Sequence, residues 1–480
     1  MSISVPDINL RIIAPALLVS ITALVVLMGE LFINNKRALG YLSIAGLIFA
    51  SFAAFALWGS NASAFRGMIA ADNFGLFLTL TILIGAVFSI LLAMDFARTH
   101  ALAQGEYYVL VLGSVAGMIL MATATDRIVI FLGLELLSLP LYILAAFQRN
   151  NTYSLEAGVK YFLLGAFSSA FFLYGIALVY GATGTTNLLQ VAGTLSRVTN
   201  TTNGLALVGA GLLLVGFAFK VALVPFHWWT PDVYDGAPTT ITAFMSVAVK
   251  AAAFGAFIRA FVFAIPPQAI EWRALVAVIA VMTMTLGNIA ALLQTNIKRM
   301  LAYSSIAHAG YILIALVVGE TATASSLYYI LAYTFTNLGA FAAVIALADG
   351  ERERLKISDY AGVARDHPRV AAAFAICLLS LAGFPPFAGF VGKFLIFGSA
   401  VENGWTWLAV VGVMNSVVSM YYYARPIVEV YMHDGSADWE RGVKIAPLVG
   451  IALLIAVIGV IALGIFPSGA VALAQSAFVK

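Results

Sequence analysis

Long apolar segments recur along almost the whole chain, and they limit the possible folds more than any single motif does. A helix needs about 20 mostly apolar residues to cross the hydrocarbon core of a bilayer. Runs such as IVIFLGLELLSLPLYILAAF do not alternate apolar and polar residues as the strands of a membrane barrel do. We therefore predict an all-α polytopic membrane protein with about 14 transmembrane helices. They span roughly residues 12–33, 39–59, 73–95, 107–124, 127–147, 157–180, 205–230, 239–264, 272–293, 300–318, 323–347, 370–400, 405–431 and 445–467.

The composition excludes a water-soluble enzyme of this size. Of the 480 residues, 62% are hydrophobic and only 10% are charged, whereas soluble domains have about 25% charged residues. The net charge of +3 gives no indication of a nucleic-acid partner. The single cysteine, Cys377, cannot form an intrachain disulfide or ligate an iron–sulfur cluster alone. Because GxGxxG and P-loop motifs are also lacking, we predict that this chain holds no cofactor.

Lysine and arginine are distributed unequally between the two predicted sides of the membrane. The loops after odd-numbered helices hold 14 of them, namely Lys36, Arg37, Arg98, Arg149, Lys298, Arg299, Arg352, Arg354, Lys356, Arg365, Arg369, Arg425, Arg441 and Lys444. The opposite side holds 7, namely Arg11, Arg66, Arg127, Arg197, Arg259, Arg273 and Lys480. Loops rich in positive charge stay in the cytoplasm. The imbalance therefore predicts that both termini lie outside the cytoplasm.

Three short sequence matches occur in the same order at nearly the same offset. Gly216–Lys220 (GFAFK) matches Gly389–Lys393 (GFVGK), and the segment around Tyr142 (LYILAAF) matches that around Tyr311 (GYILIAL). With a weaker third match, the offsets are 168–173 residues. The repeated unit is an odd number of helices, so the second copy is predicted to be inverted in the membrane. The predicted divisions are three N-terminal helices (1–106), repeat 1 with helices 4–8 (107–264), repeat 2 with helices 9–13 (265–431), and a C-terminal helix (432–480).

Helices 7 and 12 of this scheme are too long for one straight span, and both contain proline. Val224–His227 (VPFH) interrupts the first, and Gly383–Pro386 (GFPP) interrupts the second. Proline removes a backbone donor and blocks the preceding turn, so freed carbonyls need polar side chains or buried water as partners. Transporters place their ion sites on broken helices of this kind, near the midplane of the membrane.

A few ionisable residues lie at membrane depth. Glu135 is in the middle of helix 5, Lys220 is beside the first break, Lys250 is midway along helix 8, and Lys393 is just past the second break. Lys160 lies closer to the inner end of helix 6, where a long stem can reach the interface. Each central charge costs about 2.5–3.5 kcal/mol on the mildest insertion scale. These side chains must therefore face the bundle interior, pair with one another or line a hydrated cavity.

We interpret the central charges as a proton relay. Glu135 is the natural partner of Lys220, because one carboxylate can hold or release the lysine proton. His308 in helix 10 is a further candidate, since histidine exchanges protons near neutral pH. The plain alternative is that the charges form buried ion pairs which only fix helix packing, and that His308 is a hydrogen-bonded packing residue.

Four motifs carry a resemblance to a known family. They are LGLELLSLPLYILAAF, FKVALVPFHWWTPDVYDGAPT, NIKRMLAYSSIAHAGY and AGFPPFAGFVGKF. They resemble the antiporter-like subunits, a family that includes membrane-arm subunits of respiratory complex I (NADH:quinone oxidoreductase) and large subunits of multisubunit cation/proton antiporters. The resemblance covers most of helices 4–13. Lys393 stands where subunit M of complex I usually has a glutamate, and Ser304 or Ser305 stands near where a second copy of Glu135 would be.

The resemblance also implies roles for single residues. Glu135 and Lys220 match the family's pair on helices 5 and 7, Lys250 matches its connecting lysine, and Lys393 matches its exit-side residue. Lys160 matches a lysine near the inner end of helix 6.

The resemblance implies a proton-translocating subunit of complex I in the inner membrane of a bacterium. Subunits K and M are the implied neighbours, and NADH, FMN, iron–sulfur clusters and quinone are expected in other subunits. Two alternatives stay open at this point: a subunit of a sodium/proton antiporter without a redox partner, and a structural spacer whose charges only hold its neighbours.

Overall fold

The chain folds into helices joined mostly by short connections, with one small β-hairpin in the part that the structure describes. A computed structural model describes residues 9–99, 104–197, 203–267, 270–348, 353–434 and 445–477. The first elements are α1 (Ala14–Phe32), α2 (Lys36–Ala56), β1 (Ala62–Ala64), β2 (Ile69–Ala71), α3 (Asn73–Thr99), α4 (Gly105–Thr123), α5 (Arg127–Ala145), α6 (Thr152–Thr183), α7 (Leu188–Leu195), α8 (Asn203–Lys220) and α9 (Trp229–Gly236). The remaining ones are α10 (Thr239–Phe244), α11 (Lys250–Ile258), α12 (Arg273–Leu292), α13 (Ile297–Val318), α14 (Thr323–Ala346), α15 (Val363–Asp366), α16 (Pro368–Ala382), α17 (Ala388–Glu402), α18 (Thr406–Met432), α19 (Pro447–Ile465) and α20 (Ser468–Ser476).

The predicted all-α membrane class is confirmed. Twelve described helical segments are long and apolar enough to cross a membrane, judged by length and composition. The two segments predicted to be broken are built from shorter helices: α8 and α9 around the first break, and α16 and α17 around the second. The count of fourteen crossings, the inverted repeat and the four divisions of the chain stay predictions. Of the basic residues used for orientation, Arg352, Arg441, Lys444 and Lys480 lie outside the described residues.

Short polar residues set where several helices begin. Asp126 accepts a hydrogen bond from the backbone of Ile128 at the start of α5. Asn151 and Asn296 cap α6 and α13 in the same way. Such side chains satisfy amide groups that have no partner within the first helical turn. Helices α6 and α13 begin 5 and 3 residues before their predicted starts at 157 and 300, because these polar caps lie outside the apolar runs on which the prediction was based.

The middle of the bundle is the segment from α10 to α11. Every residue in the most apolar 18-residue stretch of Thr239–Phe263 is buried inside the protein. Two π-helical turns, Met245–Val249 and Arg259–Phe263, flank α11. At the second turn, Arg259 forms a two-pronged ion pair with Asp72, at 2.5 and 2.8 Å. This largely buried pair connects the N-terminal part of the chain to the segment that carries Lys250.

Several small elements were not predicted, among them the hairpin and the helices α7 and α20. The hairpin pairs Ala62 with Ala71 and Ala64 with Ile69 in antiparallel register. Helices α7 and α20 are only 8 and 9 residues long. All three are far shorter than a membrane span, so a search for apolar segments of about 20 residues passes over them.

Candidate functional site

Glu135 lies in α5 at the boundary between the bundle and its outer surface. Its side chain is half-buried, and Leu132 and Leu139 on the same side of the helix are 54% and 53% exposed. The carboxylate accepts a hydrogen bond from the hydroxyl of Ser169 in α6. A carboxylate on a face of exposed leucines is within reach of a neighbouring chain, so its charge can respond to what covers that face.

Lys220 is the last residue of α8, and its side chain is 4% exposed. The ammonium donates to the Ser138 hydroxyl at 2.7 Å and to the Tyr161 hydroxyl at 3.4 Å. It also lies 5.5 Å from the centre of the Tyr161 ring, a favourable position for a cation. All of these partners are neutral groups.

Glu135 and Lys220 do not touch directly. In the part of the chain that the structure describes, no ion pair within 4.0 Å joins them. Instead, Ser138 and Lys220 line a cavity of about 10 Å³ together with Ser169, the serine that donates to Glu135. A polar space of that size is near the minimum that holds one water molecule. Lys220 therefore lines this small space, whereas Glu135 is linked to it through Ser169, and serines lie between the two charges.

Lys250 begins α11, directly after the first π turn. Its side chain is 3% exposed, and its ammonium donates to the backbone oxygen and the hydroxyl of Ser305 in α13, the latter at 2.6 Å. Among the described residues, no carboxylate lies within ion-pair distance of it. Ser305 is one of the two serines that stand where the second copy of Glu135 was sought.

His308 lies one turn further along α13 and is enclosed by tyrosines. Its Nδ1 is 2.6 Å from the Tyr329 hydroxyl, and its Nε2 is 3.0 Å from the Tyr423 hydroxyl. The Tyr423 hydroxyl also bonds Ser304. Both ring nitrogens thus have partners that donate and accept protons, which a proton carrier needs and a packing histidine also satisfies.

Lys393 lies in α17, just after the second break, and is 3% exposed. Its ammonium donates to the carbonyl oxygens of Leu381 and Ala382, at 3.0 and 2.9 Å, and to the Ser416 hydroxyl at 2.8 Å. It lies 5.0 Å from the centre of the Tyr311 ring. Leu381 and Ala382 are the last residues of α16, so the ammonium sits at the negative end of a helix dipole.

One side of α13 connects the last three sites. Ser305 holds Lys250, His308 follows three residues later, and Tyr311, three residues further, faces Lys393. Residues at this spacing lie along one side of a helix. The structure therefore brings Lys250, His308 and Lys393 to a common helix, which the sequence did not indicate.

Lys160 belongs to a separate, more exposed cluster. Its ammonium is 2.7 Å from both Glu156 and Asp232, and Arg299 of α13 also binds Asp232 at 3.0 Å. Together with Asp235, these residues line a polar cavity of about 500 Å³. Lys160 is thus a paired residue at the mouth of a cavity and has no contact with Glu135 or Lys220 among the bonds described.

Asp232 bridges two elements within that cluster. Burial raises the pKa of its carboxyl, but the hydrogen bonds from Lys160 and Arg299 outweigh burial and lower the pKa below its ordinary value. The carboxylate is therefore charged throughout the physiological range. It links α6 to α13 through α9, the second half of the first broken helix.

The polar partners of the lysines are the residues that sequence reasoning missed. Ser138 and Ser169 at the first site, and Tyr329 and Tyr423 around His308, were not singled out. Ser138 had a usable signal, because it lies three residues after Glu135 and so faces the same way. The other hydroxyls had none, since serine and tyrosine also occur widely in apolar helices simply to satisfy the backbone.

A family profile matches most of the part of the chain that carries these sites. The profile is described as NADH:quinone oxidoreductase/Mrp antiporter, TM, and it matches residues 124–419. That is more than half of the chain. The chain belongs to this family of membrane subunits, and the resemblance noted in its motifs is confirmed.

Relatives that match nearly the whole length of the chain show which members of the family it resembles. NADH-quinone oxidoreductase subunit N of Trichlorobacter lovleyi is 45% identical over 473 residues, which cover 98% of this chain and 97% of the relative. Subunit N of Chloroflexus aggregans is 42% identical and covers 100% and 99%. The solved structure of respiratory complex I from Thermus thermophilus with bound aureothin contains a chain that is 35% identical, with a TM-score of 0.81 and coverage of 95% and 98%. The chain is thus similar along nearly its entire length to subunits N of this oxidoreductase.

Proposed function

We propose that this chain is a proton-translocating membrane-arm subunit of an NADH:quinone oxidoreductase, equivalent to the subunits N that it resembles. One observation carries the proposal. Lys220, Lys250 and Lys393 are buried at membrane depth, yet their hydrogen bonds go to neutral groups. Buried cations that only fix packing are normally neutralised by a carboxylate. An ammonium with neutral partners is free to give up its proton.

The relay begins at Glu135. A charge change at this half-buried carboxylate alters the field at Lys220 through the small polar space that Ser138 and Ser169 line. When the carboxylate is neutral, the buried ammonium of Lys220 loses support and its proton moves on. Lys250 is the next acceptor, and α13 then connects Lys250 through His308 to Lys393.

The proposal places the redox chemistry in other subunits. NADH, FMN, the iron–sulfur clusters and quinone are bound there, and the subunits equivalent to K and M are the direct neighbours. The bilayer is the bacterial inner membrane, with both termini on its outer side. Photo-cross-linking of the intact complex, from photoreactive residues placed at the exposed positions Leu132 and Leu139 of α5, tests the neighbours.

The decisive experiment replaces Lys220 by alanine in the assembled complex. Quinone reduction and proton pumping should fall together by well over about tenfold, because the relay cannot complete its cycle without this lysine. Lys36→Ala is the matched control, since Lys36 at the start of α2 pairs with Glu30 near the end of α1 and lies off the relay. Full pumping by Lys220→Ala, with normal assembly, would leave the chain as a structural spacer.

The antiporter alternative is separated by what copurifies with the chain. Flavin and iron–sulfur proteins should accompany it if it belongs to the oxidoreductase. Purification with small membrane chains alone, and sodium/proton exchange by those preparations, would overturn the proposal. The names of the whole-length relatives favour the oxidoreductase.

A further inference from the structure

A groove between α17 and α18 leads from the outer surface of the bundle to Lys393. Its volume is about 680 Å³, which falls in the range of about 300–1,000 Å³ found for small-molecule sites. Its walls are apolar and include Phe394 and Met414, which are 64% and 62% exposed. Its lining also includes Gly383, Lys393 and Ser416. The walls of the groove are therefore apolar, and its charged residues are Lys393 at the inner end and Glu402 at the outer end.

The length of the groove matches one leaflet of a bilayer. Lys393 and Glu402 both line it, and their separation along α17 corresponds to about 14 Å of helix. Half of a bilayer hydrocarbon core is about 15 Å thick. Trp405 and Trp407, with ring centres 6.3 Å apart, lie three and five residues after Glu402, and tryptophan is typical of membrane interfaces. The groove thus runs from an interface to the level of the buried lysine.

We propose that this groove binds one acyl chain of a phospholipid whose headgroup is ethanolamine. The headgroup follows from the charges. Among the described residues that line the groove, Glu402 is the only acidic one and Lys393 the only basic one. The Lys393 ammonium already has three oxygen partners, so Glu402 at the mouth selects the headgroup. A carboxylate repels an anionic headgroup and pairs with an ammonium.

The acyl chain closes a lateral opening in the relay. Without it, water could follow the groove to the Lys393 ammonium and make a proton path along the side of the protein. An apolar chain lying over Gly383 and Ser416 excludes that water. This sealing role rests on the proposed proton relay, whereas the binding of the lipid does not.

Photo-cross-linking in the intact membrane complex tests the lipid. The probe is phosphatidylethanolamine with a photoreactive acyl chain, and labelled peptides are mapped by mass spectrometry. Peptides of α17 and α18 should be labelled about two- to fivefold more strongly than with phosphatidylglycerol carrying the same chain, the preference that one exposed ion pair gives. Met414→Trp fills the groove and should remove the label. Leu454→Trp, on an exposed position of α19, is the matched control and should keep it.

Three results would overturn the lipid assignment. They are equal labelling by the two lipids, labelling that survives Met414→Trp, and no labelling because a helix of a neighbouring subunit fills the groove. The seal is tested separately through Glu402→Gln, which removes the headgroup's partner, should lower the total lipid labelling of the groove and should raise passive proton leak in proteoliposomes severalfold. Lowered labelling without added leak would refute the seal and leave the lipid site standing. Failure of the relay itself would show in Lys220→Ala instead.

Discussion

The two broken helices hold their lysines in opposite ways. Lys220 ends α8, before the first break, and its ammonium bonds side-chain hydroxyls. Lys393 lies in α17, after the second break, and its ammonium bonds two backbone carbonyls of α16 and one hydroxyl. The sequence match between GFAFK and GFVGK therefore pairs two lysines that lie on different sides of their breaks.

The backbone explains the difference. At the first break, the carbonyl of Phe219 accepts from the indole of Trp229 at 3.0 Å. The Phe219 carbonyl at the end of the helix therefore has a hydrogen-bond donor other than the lysine. The Lys220 ammonium extends instead toward Ser138 and the small cavity near Glu135. At the second break the lysine itself caps the helix end. Lys220 is thus held by hydroxyl groups that can rotate, and Lys393 mainly by a fixed backbone, which suits a switch and a terminal acceptor respectively.

Gly389→Ala should have the largest effect, because it disrupts the packing of α17 against α16 at the second break. A Cβ there would lie 1.8 Å from the carbonyl oxygen of Ser380, and backbone cannot yield that much. We expect α16 and α17 to lose their relative position and the complex to assemble poorly. The measurement is the amount of intact complex in membranes. Gly398→Ala in the same helix meets nothing within 4 Å and should assemble normally.

The next largest effect is expected for Ser138→Ala. It removes the closest acceptor of the Lys220 ammonium and leaves Tyr161 at 3.4 Å. A hydrogen bond to a charged group is worth about 1.5–3 kcal/mol, so proton pumping should fall by about tenfold or more. Pumping by assembled complex in proteoliposomes is the readout. If Ser138→Ala pumps like the wild type, Lys220 does not depend on this hydroxyl.

Asp232→Asn tests the second half of the first broken helix, α9. Ion pairs from Asp232 to Lys160 and Arg299 hold α9 against α6 and α13. The pairs are partly exposed, so the loss of stability should be about 1 kcal/mol or less. Because the pKa of Asp232 is lowered on folding, its contribution is complete above the ordinary value of about 3.9 and fades only as the pH falls through the lowered pKa. Thermal unfolding of the complex should show the same deficit at pH 7 and pH 5. A deficit that shrinks between those values would contradict this assignment.

Ser416→Ala should have the smallest effect. Lys393 keeps the carbonyl oxygens of Leu381 and Ala382 after this change, so pumping should fall by about twofold or less. The comparison with Ser138→Ala is direct, since each variant removes one hydroxyl from one buried lysine. Equal losses in the two variants would refute the distinction between side-chain and backbone support.

The central charges and the breaks could be predicted because apolar surroundings make them costly. A lysine such as Lys250 in an apolar run is costly to bury, so it indicates a polar site inside the bundle. A proline within Val224–His227 removes a backbone donor and so indicates that the helix is interrupted there. The partners of the lysines could not be predicted in the same way. Leu381 and Ala382 act through backbone oxygens that become available only once the helix ends at Gly383. The residue types leucine and alanine therefore gave no indication of this role.

The π turn at Met245–Val249 has a consequence for the rotation of Lys250 about its helix. A π turn contains more residues than an α turn and is equivalent to one residue inserted into a regular helix. If the same residues were wound as a regular α-helix, everything beyond the turn would rotate by about 100° relative to α10. The Lys250 ammonium would then point away from Ser305 and α13. The angular setting of this lysine is therefore fixed by a single supernumerary residue in the middle of the membrane.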